Sequence, residues 1–156
     1  MVIQRWQSVL LLVAALCMGF FTFMSLGQVQ LLDSTLNFST FGFSYEGMPV
    51  DGAPTGFLTR TWGFFILSLL SCLIPLINIF MFKNLKLQKR LCMIEILFLI
   101  AVIATGAIYA YTGIDNGAIS WSSLVCAPFI ALMADILAFN RINADDRLLK
   151  SADRLR

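Results

Sequence analysis

One amide and two carboxyl side chains interrupt otherwise apolar stretches of this chain: Asn78, Glu95 and Asp135. Ionisable groups inside apolar segments are costly, and they usually face a partner or a water-filled cavity. Glu95 lies five residues from Arg90 and Asp135 six from Arg141. At 1.5 Å per helical residue this is roughly 7–9 Å beyond the basic residues. Asn78 lies at a similar depth, and Arg5 is placed to reach the same level from the first apolar segment. Asn78, Glu95, Asp135 and Arg5 therefore make one candidate polar layer. It reads either as a proton or cation relay or small-ligand site, or as a register device in which snorkelling Arg5, Arg90 or Arg141 neutralises the carboxylates.

The remaining chemistry is sparse. The chain has no histidine, which excludes His-ligated haem, His-based zinc sites and Ser-His triads. Cys17, Cys72, Cys92 and Cys126 form no C-x-x-C and read as small apolar packing residues. The glycines are scattered, with no phosphate-binding loop. No cofactor, metal site or enzymatic activity is expected.

The elements that position the polar layer follow from hydropathy. The 156 residues are 59% hydrophobic, with a mean hydropathy of +0.84. Four apolar stretches, 8–26, 62–82, 91–111 and 121–139, are each about the 20 residues a helix needs to cross a bilayer. Ten of the eleven lysines and arginines fall on one side of this pattern, and Arg60 alone lies on the other. Basic residues mark the cytoplasmic side in short loops, which gives an N-in, C-in orientation and no reason to invoke nucleic acid. Trp62, Tyr109, Tyr111 and Trp121 at the outer ends, and Trp6 at the inner end of the first stretch, fit interfacial belts. The first stretch is read as a retained helix and not a cleaved signal.

The fold expected is thus an all-α integral membrane four-helix bundle forming a single domain over 1–156. Its additions are an outer loop (27–60) and a cytoplasmic amphipathic tail (140–156). Residues 36–45 of the loop alternate apolar with small polar residues and read as a short β-hairpin. Its aromatics, Phe38, Phe41, Phe43, Tyr45 and Phe57, would serve a partner, the membrane surface, or a lid over the bundle. Gly113–Ser120 reads as a brief turn. In the tail, Asn143 and Asp146 have capping-pair spacing for a new helix. Asp146-Arg147-Leu148 recurs seven residues later as Asp153-Arg154-Leu155, which returns to nearly the same helical face. That face suits either a docking partner or anionic lipid.

Ile3-Gln4-Arg5-Trp6-Gln7, the basic hairpin from Phe82-Lys83-Asn84 through Gln88-Lys89-Arg90-Leu91-Cys92, and the ending Lys150-Ser151-Ala152-Asp153-Arg154-Leu155-Arg156 together resemble domain of unknown function family 4293, small four-span membrane proteins of Bacteroidota. The resemblance covers the whole chain. It implies an inner-membrane location and brings no activity, ligand or functional residues. The leading expectation is a non-catalytic inner-membrane accessory or scaffold protein recognised through its tail. The alternative is ion-coupled or small-molecule transport through the polar layer.

Overall fold

The computed structural model of the chain describes residues 2–30, 35–46, 56–81, 84–112 and 118–153. Four α-helices dominate: α1 (Val2–Phe23), α2 (Trp62–Phe80), α3 (Leu85–Thr112) and α4 (Ala127–Asp153). All four are long and apolar enough to cross a membrane. α1 and α3 each pack against both α2 and α4.

The buried positions explain this packing. They recur at alternating steps of four and three: Gln7, Leu11, Ala14, Met18, Phe21 on α1; Phe64, Ser68, Ser71, Pro75, Asn78 on α2; Gln88, Cys92, Glu95, Leu99, Val102 on α3; Ala127, Ala131, Ala134, Ala138 on α4. A 3.5-residue period is the seam of a left-handed bundle. Most of the remaining apolar side chains face outward, among them Leu97 and Met133 at 67% and 61% exposure. This inverts the pattern of a water-soluble bundle and matches a surface covered by lipid. Ala15 and Gly19 face α2, where the Cys72 thiol donates to the Ala15 carbonyl at 3.4 Å. Small residues allow that approach.

The chain is not all-α. A five-stranded antiparallel sheet in the order β4-β3-β2-β1-β5 caps one end of the bundle. Its strands are β1 (Gly27–Gln30), β2 (Thr35–Ser39), β3 (Gly42–Glu46), β4 (Phe57–Arg60) and β5 (Ala118–Trp121). The predicted hairpin is its β2–β3 centre. β1 extends it because α1 ends at Phe23, three residues before the expected boundary, and Gln28-Val29-Gln30 then alternates outward and inward. β5 lies in the segment expected to be a brief turn. Its pairing with β1 (Gly27 opposite Trp121, Gln30 opposite Ala118) is between segments distant in sequence, which local pattern does not reveal. Trp121 consequently belongs to the sheet. A 3₁₀ turn (Ser123–Cys126) follows, and α4 starts at Ala127 with Pro128 in its first turn, where a missing N–H costs nothing.

Three buried threonines weld sheet to bundle. Thr61 Oγ1 donates to the Thr40 carbonyl (2.9 Å), Thr40 Oγ1 to the Thr22 carbonyl (2.6 Å), and Thr22 Oγ1 to the Met18 carbonyl (2.7 Å). The β2–β3 turn is thereby tied to the end of α1 and the start of α2. Beneath the sheet Phe38 stacks on Phe43 (4.7 Å between centroids), and Phe64 on α2 packs parallel to Phe38 (6.5 Å). The inward aromatics of the loop thus form a lid over the chain's own bundle.

The tail also differs from expectation. α4 runs unbroken to Asp153, so Asn143 lies inside a helix and caps nothing. Nothing between Asn140 and Asp146 breaks a helix, Ile142 is fully buried, and Gln7 Nε2 donates to Asp145 Oδ2, which binds this segment to the start of α1. The tail is a continuation of the fourth span, and no separate surface helix forms over the described residues.

Candidate functional site

The 4-3 seams bring Asn78 and Glu95 into the interior, and Asp135, four residues on from the seam residue Ala131, is buried as well, each with no solvent exposure. Asn78 is the last seam position of α2, and its Nδ2 donates to Cys92 Sγ at 3.0 Å. Cys92 is one seam step from Glu95 on α3. The Glu95 and Asp135 carboxyl groups are within direct electrostatic reach of each other, and both act on Cys92. Sequence reasoning did not include this thiol in the layer. Its buried position on the stripe that carries Glu95 is the signal, visible only once the 4-3 period is recognised.

The layer sits deeper in the packed core than distance from the basic residues suggests. α3 continues back to Leu85, ten residues before Glu95 and about 15 Å along the axis. Gln88, Cys92, Ala138 and Ile142, all buried, lie between the carboxyls and the helix ends remote from the sheet. Gln7 and Gln88 are nearly sealed from solvent as well, each at 2% exposure. These two amides are buried on that side of the carboxyl pair, at the level of an apolar cluster of Leu11, Cys92, Ala138 and Ile142.

Asn78 Oδ1 and all four carboxyl oxygens of Glu95 and Asp135 are buried and accept no hydrogen bond from any other described residue, while the two carboxyl groups lie close enough to hydrogen-bond each other when one is protonated. Arg90 and Arg141, the expected neutralising partners, point outward and are exposed. The Arg5 side chain lies outside the described residues; its backbone belongs to the first turn of α1, before Gln7. Two ionised carboxylates side by side with no cation are not an acceptable state for an apolar interior. Such oxygens need a proton, a cation or water. Among the described residues no three Cys, Asp or Glu side chains are grouped to hold a metal ion. A hard, all-oxygen set also disfavours soft metals.

The family described as "Domain of unknown function (DUF4293)" matches residues 3–155. The chain belongs to this family. No curated protein matches the chain. The family description assigns no chemistry, so the site rests on the residues themselves.

The other candidate group, the tail, is partly described. Asp146, Arg147 and Leu148 lie on α4 beyond the Gln7–Asp145 contact, with Leu148 60% exposed. The Asp153 side chain, Arg154 and Leu155 lie outside the described residues.

Proposed function

We propose that this protein is an ion-coupled component of the bacterial inner membrane of Bacteroidota. It is multi-pass, with both termini in the cytoplasm, and its working group is the proton held between Glu95 and Asp135. The observation that carries this reading is the burial of two adjacent carboxyl groups with no counter-cation among the described residues. Gln7 and Gln88 are buried on the side of the pair where the basic residues cluster. The orientation rests on those basic residues. Four helices whose seams are filled by side chains leave little room for a pathway inside one copy, so transport would use an oligomer. The chemistry is uptake and release of a proton, and no covalent reaction is involved.

The test uses dicyclohexylcarbodiimide, an apolar reagent that adds to a protonated carboxyl in an apolar setting. On the intact protein in lipid vesicles, a covalent adduct at Glu95 or Asp135, lost in the Glu95→Gln/Asp135→Asn variant, is expected. Protein vesicles should also pass protons when a potential is imposed, and the double variant should not. Sodium protection of the carboxyls would identify a metal cation in place of the proton. Inert carboxyls and no flux would end the reading.

A second reading is favoured by Leu148, an apolar side chain exposed on α4 three residues beyond Asp145, which Gln7 holds. In that case the protein is a non-catalytic accessory or scaffold, docked by its tail onto a membrane or cytoplasmic partner. Leu148→Ala and Arg147→Ala would then abolish co-purification of the partner, while Glu95→Gln and Asp135→Asn leave it intact.

A further inference from the structure

At the sheet end, α3 carries three small residues, Gly106, Ala107 and Ala110, on the flank that turns toward α4. Opposite them stand Val125, Pro128 and Phe129 at the start of α4. The gap between the two is a half-open cavity of about 570 Å³ with walls almost wholly apolar. The nearly buried rings of Phe38 and Phe64 close it beneath the sheet, and Trp121 and Tyr111 stand at its rim.

The geometry points to a binding site for one fatty-acyl chain of a bilayer phospholipid, drawn in between α3 and α4. Three features select this occupant. The cavity opens onto the outward surfaces of α3 and α4, where Ile108, Ile130 and Met133 are 52–61% exposed, so it is continuous with the surface that lipid hydrocarbon covers. Its walls offer essentially no polar group, which excludes ligands that need one deep inside, such as a quinone or a peptide. Its size also fits: at roughly 30 Å³ per water-sized group, about 570 Å³ holds on the order of nineteen such groups, enough for the methylenes of one long acyl chain. Aromatic rings at the rim suit the level where chain meets headgroup.

The site is independent of the carboxyl layer and is tested separately. The protein is reconstituted in phosphatidylethanolamine vesicles containing a phospholipid with a photoactivatable diazirine on its acyl chain. After illumination, crosslinks are mapped by peptide mass spectrometry. Labels on the inner wall (Ile103, Gly106, Val125) as well as on outward Ile108 and Ile130 are expected. Ala110→Trp, or Ala107→Phe should the first not fold, fills the cavity. Either should lower inner-wall labelling at least fivefold and leave Ile108 and Ile130 labelled, which also reports an intact bundle. Labelling confined to outward residues, or inner-wall labelling indifferent to both substitutions, overturns the proposal.

Discussion

The Asn78 side-chain amide donates to the Cys92 sulfur at 3.0 Å, while the Asn78 Oδ1 finds no partner among the described residues. A thiol is a weak acceptor, so the bond returns little for the amide it keeps out of solvent, and a buried orphan oxygen costs about 1–3 kcal/mol. Asn78→Leu, close in volume, should therefore leave thermal stability in detergent unchanged or raise it. A fall of more than about 3 kcal/mol would show that Asn78 holds an ion or water essential to the fold.

The carboxyl pair yields the opposite kind of mutant from a salt bridge. Breaking a buried ion pair strands a charge and costs about 3–5 kcal/mol, whereas neutral residues in place of buried charge are often neutral or stabilising. Glu95→Gln and Asp135→Asn should each hold or raise the melting temperature of the purified protein. If instead both lower it sharply, a cation (Arg5 is the candidate) sits between them, and the register reading of the layer is right.

How much of this was legible beforehand depends on range. The four apolar spans, and the polar layer within them, follow from residue type, because hydrocarbon tolerates so few alternatives. Cys92 lies within the expected third span but was read as an apolar packing residue from its type alone; the 4-3 seam that puts Gln88, Cys92 and Glu95 on one stripe is a packing period. β5 was missed because a four-residue strand carries too little local signal, and what makes it a strand is Gly27–Gln30, some ninety positions earlier. The tail misled for a related reason. Asn143 and Asp146 have cap spacing, yet Ile142 buries and Asp145 finds Gln7, so tertiary contacts override the local stop.

The threonine chain should control whether the sheet stays seated. Thr40 has no exposure, and its hydroxyl reaches the Thr22 carbonyl at 2.6 Å. Thr40→Val keeps the shape and removes that donor, leaving a buried carbonyl short of a partner, at a cost of about 1–3 kcal/mol. Thr59→Val on the exposed β4 is the control and should cost little. Equal effects in a thermal melt would mean that the sheet is not held by this chain of hydroxyls.

Two glycines with positive φ separate strain from collision. Gly42 has φ +135°, and a Cβ there would lie 2.0 Å from the Thr59 carbonyl oxygen; Gly56 has φ +112°, and among the described residues no atom lies within 4 Å of such a Cβ. Gly56→Ala carries only the conformational penalty, about 1–2 kcal/mol. Gly42→Ala adds a backbone clash that forces β3 and β4 apart. It should abolish the protected amides of β4 in hydrogen exchange, and Gly56→Ala should not.

Deleting the tail from Asn143 onward looks like a clean assay for partner docking, but the structure argues otherwise. Gln7 Nε2 donates to Asp145 Oδ2, so that deletion also unties α1 from α4. Gln7→Leu removes the contact and leaves Arg147 and Leu148 in place. It strands the Asp145 carboxylate beside a nearly buried neighbour, and hydrogen bonds to charged groups are worth about 1.5–3 kcal/mol. Gln7→Leu should lower the melting temperature as much as the deletion does, while Leu148→Ala leaves it unchanged. If Gln7→Leu melts like the wild type, the loss seen on deletion comes from residues beyond Asp145, and the tail itself stabilises the bundle.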